Sequence, residues 1–512
     1  MTRTVRLIGY SGDMHATAPF TESTAEQLYR AYETRDARFD GRFFVGVKTT
    51  GIFCRPICPA RTPLRRNVAF YSSAAAAFAA GLRPCLRCRP ERAPVLRAFA
   101  GGEALVARAL QAIDAGALND GPLEALALRI GVTPRHLRRL FDTHLGATPV
   151  QVAQMRRLLF AKQLIEESGL PLADVAFAAG FNSVRRFNAA FRQGYGRVPG
   201  DLRRTRSELP QGSGVEIRLN GIAREGFEGL LDFYRLRAFA GVESVDTGAY
   251  ARLLRLESAA GTVIGTLVLR GESDGLQLQC HLTDLSHLTG VVARVKRMFD
   301  LDAPMAAVQA HLRRDRLLRP ALQAVQLRVP CAWDPWELAV RAVLGQQISV
   351  KGAATLASRL VARFGTLHEG GRTEGQGGLT HLFPLPSTLA DAAPAALQAI
   401  GLTRGRTATL GTLARYVASR PEWSTRYPGI DAFVQDLTTL PGIGPWTAHY
   451  VAMRGFSDPD AFPAADLGLL KAARALGIAT TAKQLDAHAE QWRPWRAYAA
   501  QALWNFLPKD AA

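Results

Sequence analysis

The chain has 512 residues, 48% of them hydrophobic, which is enough for roughly three to four folded domains and excludes a disordered or low-complexity chain. Lys and Arg outnumber Asp and Glu 63 to 44, a net charge of +19, so the expected partner is a polyanion such as nucleic acid rather than an acidic small molecule. Arginine dominates that excess, which favours bidentate phosphate contacts. No run is apolar enough to span a bilayer. The opening MTRTVRLIGYSGDMHATAPF lacks the apolar core of a signal peptide, which places the chain in a reducing cytoplasm.

Four of the six cysteines, Cys54, Cys58, Cys85 and Cys88, form C-x3-C, a long gap, then C-x2-C. In a reducing compartment such a cluster argues for a metal rather than disulfides, and two close pairs can close a tetrahedral thiolate site on Zn²⁺. From Gly41 to Arg97 there are eleven Arg or Lys and one acid, Glu91, a surface that binds phosphates. A thiolate on such a zinc stays ionised and nucleophilic at neutral pH. The run GRFFVGVKTTGIFCRPICPAR, with LRRNVAFY and AAAAFAAGLRPCLRCRP after it, resembles the N-terminal domain of the bacterial adaptive-response family. The resemblance implies that Cys54 takes a methyl group irreversibly from a DNA methylphosphotriester, with Cys58, Cys85 and Cys88 as its co-ligands.

Two similar units follow. Leu123–Ala127, a turn at Gly131 and Thr133–Phe141 make the first; Leu172–Ala176, a turn at Gly180 and Ser183–Arg192 make the second. Each reads as helix, turn and basic amphipathic helix, with Thr133 and Ser183 as N-caps and a helix over 149–167 between the units. This resembles the double helix-turn-helix of AraC-type regulators, whose second helices enter the major groove. The positions that reach DNA are then Arg135, His136, Arg138, Arg139, Arg185, Arg186 and Asn188, some of them on phosphates only.

Beyond a polar linker at 206–214, runs at 250–256, 262–269 and 276–282 read as strands and 291–299 as a helix: an antiparallel α+β domain with no catalytic constellation. Cys280 and His281 lack metal partners nearby. From about 303 the chain reads as mostly helical. Trp333–Glu337 opens a helix, Gly370–Gly378 reads as a mobile insertion, and one short helix precedes Gly401.

At Leu440-Pro441-Gly442-Ile443-Gly444 the helical period breaks and resumes at Pro445, which suits a first helical turn. This is helix, Gly-rich hairpin, helix, with free backbone N–H groups at the start of the second helix, where a phosphate fits. Asp466 follows just before an apolar helix. The plain alternative is an ordinary turn, with Asp466 as an N-cap. FDLDAP, AWDPWELAVRAVLGQQIS, LPGIGPWTAHYVAMR and RPWRAYAAQALW resemble the 3-methyladenine DNA glycosylase II of the helix-hairpin-helix superfamily. That resemblance covers roughly 215–510. It implies Asp466 as the catalytic carboxylate, Trp446, Tyr450 and Trp504 as walls of a base pocket, and Gly442, Gly444 and Thr447 against DNA. No Lys occupies the hairpin segment, so a monofunctional glycosylase is expected. The family's apolar wedge is replaced by Gln347, followed by Ile348. A Pro-Cys-His-Arg nucleophile is absent, Cys331 does not match it, and no direct reversal of O6-methylguanine is expected.

The resulting expectation is a multidomain α+β protein: a small four-cysteine zinc domain (1–97), an all-α double helix-turn-helix domain (98–205), a linker, an antiparallel α+β domain (215–302) and a mostly α helix-hairpin-helix glycosylase domain (303–512). Zinc is the expected cofactor, with a monovalent cation at the hairpin as a second candidate. The expected partners are double-stranded DNA, both damaged and operator, and RNA polymerase, with the chain as a monomer off the membrane. Two rival readings stay open: a glycosylase whose N-terminal modules only tether it to DNA, and a regulator with an inactive glycosylase half.

Overall fold

The computed structural model describes residues 22–36, 39–90, 93, 102–119, 121–203, 214–258, 261–273, 275–323, 327–368 and 378–507. The expected linker, apart from Gly214, and the Gly-rich insertion, apart from Gly378, fall outside these residues. The described chain divides into two compact units, one up to Ala93 with Leu145–Ala147, the other comprising the rest.

In the first unit, α1 (Glu22–Glu33) precedes a four-stranded sheet of order β3-β1-β2-β4, formed by β1 (Phe44–Val47), β2 (Ile52–Cys54), β3 (Val68–Tyr71) and β4 (Arg83–Pro84), with α2 (Ala74–Ala79) between β3 and β4. All four residues of β1 are buried, and Phe43, Val45, Val68 and Phe70 share one core with the four cysteines. β2 runs parallel to β4 with Phe53 opposite Pro84, so Cys54 ends one strand beside Cys85 at the end of the other. So small a core holds together poorly alone, and a metal at its edge is the usual remedy.

The second unit opens with α3 (Gly102–Asp114), α4 (Leu123–Ile130), α5 (Pro134–Leu145), α6 (Pro149–Glu167), α7 (Leu172–Ala178), α8 (Val184–Tyr195) and α9 (Pro199–Arg203). A capping box of Thr148 and Gln151 starts α6. The bundle rests on the next domain through Gln163 Nε2, which donates to Arg218 O (2.8 Å), and Thr289 Oγ1, which donates to Ala178 O (3.0 Å).

That domain is a five-stranded antiparallel sheet of order β5-β9-β8-β7-β6, made of β5 (Val215–Leu219), β6 (Glu243–Asp246), β7 (Ala249–Ser258), β8 (Gly261–Glu272) and β9 (Gly275–Leu282), with helices α10 (Arg224–Arg235) and α11 (Leu288–Met298). Sequence pattern anticipated only the three inner strands. The edge strands β5 and β6 are short, and Glu243–Asp246 carries too little apolar character to signal a strand.

The remainder is helical around a single large core: α12 (Met305–Leu312), α13 (Pro335–Leu344), α14 (Val350–Phe364), α15 (Pro386–Ala390), α16 (Pro394–Ala399), α17 (Arg404–Ala418), α18 (Ile430–Leu437), α19 (Pro445–Gly455), α20 (Leu467–Ala475), α21 (Ala482–Ala489) and α22 (Arg496–Phe506), with a two-stranded ribbon of β10 (Thr366–Leu367) and β11 (His381–Leu382). Two short helices, not one, precede Gly401. Pro394 starts a fresh helix where it cannot continue the old one. Among the described residues no helix is long and apolar enough to cross a membrane.

Candidate active site and metal centre

The hairpin between α18 and α19 assigns its two glycines different tasks. Gly442 has φ +86°, and a Cβ there would overlap Thr409 Oγ1 on α17, so both backbone conformation and packing demand glycine. Gly444 has ordinary φ and nothing within 4 Å of a Cβ. It is exposed at the N-cap of α19 with no side-chain cap, which leaves the first N–H groups of the helix open to an anion. Thr447, expected to face DNA, is instead 4% exposed. It lies one turn into α19 against the core, and its hydroxyl accepts from Gln346 Nε2 (3.4 Å).

α19 presents Trp446, Tyr450 and Arg454 four residues apart along one face. Trp446 and Tyr450 stack face to face, with centroids 5.2 Å apart and planes 9° apart. Asp466 caps α20, as the plain reading held: its Oδ1 accepts from Leu469 N (3.0 Å). The same carboxylate accepts from both tryptophans, Trp504 Nε1 at Oδ1 (2.9 Å) and Trp446 Nε1 at Oδ2 (3.0 Å). Three of its roughly four acceptor positions are thereby occupied, and the free one is on Oδ2. Asp466 is half-buried, so that position can meet a ligand.

Sequence reasoning missed four contributors. A Cβ on Gly468 would sit 3.0 Å from Asp466 Oδ1 and 3.2 Å from Trp504 Cδ1, so glycine leaves room for the indole to reach the carboxylate. A small cavity of about 30 Å³ is lined by Tyr450 and Arg454 and also by Phe233 and Arg237 from the α10 region, in the domain that showed no constellation from sequence. Burial lowers the Arg237 guanidinium, with Tyr450 opposing that shift. Arg454, 3% exposed, lies 4.6 Å from the Phe233 ring and 5.0 Å from the Trp504 ring. The space suits water, not a purine, so a base would lie outward of it. A glycine two residues past a helix-capping carboxylate was the one legible signal.

Between α13 and α14, Gln347 is exposed at φ +57°, a left-handed conformation that costs a non-glycine residue about 1 kcal/mol or more. Its neighbours hold it there: Gln346 Nε2 donates to Gly442 O (2.9 Å), and Arg406 donates to Gln346 O. Ile348 beside it is 37% exposed.

In the first unit the Sγ atoms of Cys54, Cys58, Cys85 and Cys88 all lie within 4.8 Å of one another. A tetrahedral zinc thiolate site needs about 3.8 Å between sulfurs, so the four residues fit the ion with little movement. Without a cation such a group cannot ionise together. The neighbouring Cys54 thiol lowers Cys58 to about 7 and Cys85 further, while hydrogen bonding with Cys58 raises Cys54. The four differ in their backbone donors. Arg55 N donates to Cys88 Sγ (3.3 Å), and the amides of Ala60 and Cys88 act on Cys58 and Cys85. Among the described hydrogen bonds no amide donates to Cys54. Exposure does not separate them, since all are 7% exposed or less.

In the helix-turn-helix region Thr133 and Ser183 accept from His136 N (3.2 Å) and Arg186 N (3.2 Å) as N-caps. Arg135, Arg138, Arg139, Arg185, Arg186 and Asn188 are exposed on α5 and α8. His136 is half-buried, its Nδ1 3.1 Å from Arg139 Nη2.

Four family profiles match the chain: the metal binding domain of Ada at 27–91, a helix-turn-helix domain at 126–205, the AlkA N-terminal domain at 224–334 and the HhH-GPD superfamily base excision DNA repair protein at 340–496. A probable bifunctional transcriptional activator/DNA repair enzyme AlkA from Mycobacterium tuberculosis is 40% identical over 496 residues, 94% of this chain and 96% of that protein. DNA-3-methyladenine glycosylase 2 of Escherichia coli is 34% identical over 54% of this chain and 92% of its own length. The bifunctional transcriptional activator/DNA repair enzyme Ada of Escherichia coli is 43% identical over 25% of this chain and 34% of its own. A four-cysteine zinc site, an AraC-type helix-turn-helix region and an HhH-GPD glycosylase fold thus stand in one polypeptide, and the chain belongs to the family of bifunctional transcriptional activator/DNA repair enzymes.

Proposed function

We propose that this protein hydrolyses the N-glycosidic bond of alkylated purines of the 3-methyladenine and 7-methylguanine type, with Asp466 as its catalytic carboxylate. The carrying observation is the Asp466 carboxylate clamped by two indole N–H groups beside the hairpin, with one acceptor position on Oδ2 left over. Such a purine is already cationic, so its bond to C1′ breaks with little protonation of the leaving base. A fixed negative charge next to the sugar stabilises the oxocarbenium character that develops, and water adds at C1′ as the base departs. Trp446, Tyr450 and Trp504 offer aromatic faces to an electron-poor ring, and the base reaches them only after flipping out of the duplex. Gly442, Gly444, Gln347 and Ile348 hold the strand and fill the gap. Residues 438–456 contain no Lys, which favours hydrolysis without strand cleavage.

The same proposal gives Cys54 a second, single-turnover reaction: its sulfur takes the methyl of a DNA methylphosphotriester, a C–S bond replaces the methyl C–O bond, and a phosphodiester anion leaves. Zinc would supply an ionised thiolate at neutral pH. An amide that donates to sulfur draws off electron density, and among the described hydrogen bonds none reaches Cys54. The Arg-rich faces of α5 and α8 would then hold the operator and recruit RNA polymerase, with the chain a cytoplasmic monomer divided at about residues 97, 205 and 302. One test covers both chemistries: mass spectrometry of zinc-loaded protein mixed with methylated duplex. A methyl on Cys54 and free methylpurine are expected; the absence of either removes that assignment. Asp466→Asn should lower base release roughly 10²–10³-fold with DNA binding retained; unchanged release would end the role of Asp466.

A further inference from the structure

A cavity of about 920 Å³ lies where α4 of the helix-turn-helix region, α11 of the sheet domain and the segment leading into α18 come together. Asp466, Trp446, Tyr450 and Trp504 do not line it. Three guanidiniums on its wall, those of Arg129, Arg294 and Arg297, are close enough to disturb one another. Burial and then Arg294 lower Arg129, and burial followed by Arg294 brings Arg297 down to about 10. One carboxylate faces them. Asp334 Oδ2 lies 3.4 Å from Arg294 Nη1, and Asp334 Oδ1 is already taken by Trp336 N (2.8 Å) and Ser424 Oγ (3.4 Å). Arg129 Nε and Arg297 Nη2 donate only to neutral carbonyls, Thr425 O (2.6 Å) and Trp333 O (2.7 Å). Arg297 Nε is shielded from solvent and has no hydrogen-bond partner among the described residues. Of the other acids on the wall, Asp114 pairs with Arg156, Asp302 with Lys296 and Asp460 with Arg493 and Arg496, Glu257 accepts from Thr262, Asp284 from Ser286 N and Asp458 from Tyr427, and Asp431 is exposed. Tyr427 and Phe456, stacked 4.9 Å apart at 19°, form an aromatic part of the lining.

We infer that this cavity binds a phosphate-bearing anion of nucleotide size, held by Arg129, Arg294 and Arg297. Its volume falls in the range of small-molecule sites. Guanidinium forks match phosphate oxygens in pairs, and an arriving anion relieves the mutual repulsion of three partly desolvated cations. Aromatic side chains in the same lining suit a base or another flat ring. Arg129 belongs to the helix-turn-helix region, Arg294 and Arg297 to the sheet domain, and Thr425 to the glycosylase domain, so a bound anion would tie all three parts.

The test is calorimetric titration of the zinc-loaded full chain with inorganic pyrophosphate, in buffer free of phosphate and sulfate. One saturable site is expected. Arg129→Gln and Arg294→Lys should each weaken it by about tenfold, the scale of one lost charge-assisted hydrogen bond. Arg294→Lys keeps the charge opposite Asp334, and with it the fold. Arg224→Gln, exposed on α10 and off the cavity wall, should leave the affinity unchanged, and a saturating short duplex should not displace pyrophosphate. Absence of saturable binding, unchanged affinity in both Arg129→Gln and Arg294→Lys, or displacement by the duplex would overturn the inference, the last by assigning the phosphate contacts to the DNA backbone.

Discussion

Asp466 combines two tasks that usually fall to different residues. As an N-cap it satisfies Leu469 N, and as an acceptor for Trp446 and Trp504 it ties both indoles to one carboxylate. Any shift of that group moves the indoles with it. Gly468→Ala tests this, because its methyl would have to displace Asp466 Oδ1 or the Trp504 ring by a few tenths of an ångström. Base release should fall roughly 5–10-fold, given how steeply rate depends on position, with duplex affinity unchanged; single-turnover excision assays alongside gel-shift titration check it. Asp466 was legible from sequence through its place after a Gly-rich hairpin and before an apolar helix. Phe233 and Arg237 were not, because they reach the cavity of Tyr450 from more than 200 residues away and only tertiary packing brings them there.

At the scale of elements, the sheet domain and the glycosylase helices meet across a buried ion cluster. Arg252 on β7 is 1% exposed; its Nη2 lies 2.7 Å from Glu337 on α13, and its Nη1 lies 3.5 Å from Glu243 on β6. Its guanidinium also lies 4.8 Å from the Trp333 ring. Arg252→Met leaves the buried Glu337 carboxylate without its cation, while Glu243 keeps Arg341 Nη2 at 3.7 Å, and should cost about 3–5 kcal/mol, read as a lower denaturation midpoint. Arg252 stands among buried Tyr250, Ala251, Leu253 and Leu254, on a strand with no polar–apolar alternation there, so periodicity could not foresee this clamp. The basic helices α5 and α8 were plain, by contrast, because cap, turn and amphipathic spacing all agree there. Arg138 is exposed on α5. Arg138→Ala should reduce the slope of log affinity against log salt by about 1 if Arg138 holds a phosphate, measured by fluorescence anisotropy on duplex DNA.

The whole molecule divides its chemistry between two compact units. The four cysteines are part of the core of the first, whereas the core of the glycosylase helices contains no zinc ligand. Removing zinc with a strong chelator should therefore unfold the first unit and abolish methyl uptake while base release persists to within about twofold, since structural zinc supplies folding energy only where it is bound. Circular dichroism and the excision assay on one chelated sample check both halves. The zinc spacing, the paired helix-turn-helix units and the hairpin were readable because each is a local pattern. The cavity between α4, α11 and the approach to α18 was not, because its walls come from segments up to about 350 residues apart, Ala107 to Asp460.

The tether from Gln346 Nε2 to Gly442 O has a kinetic consequence. Because the α13–α14 loop is fastened to the hairpin and Gln347 is already held in its uncommon backbone conformation, the two would, if they hold DNA as proposed, engage a duplex together rather than in turn. On that proposal, a strand that settled on the hairpin amides would meet the Gln347 side chain in the same stroke. The pace of scanning along undamaged DNA would then be set by how readily each base pair yields, with no slow rearrangement of the protein between one base pair and the next.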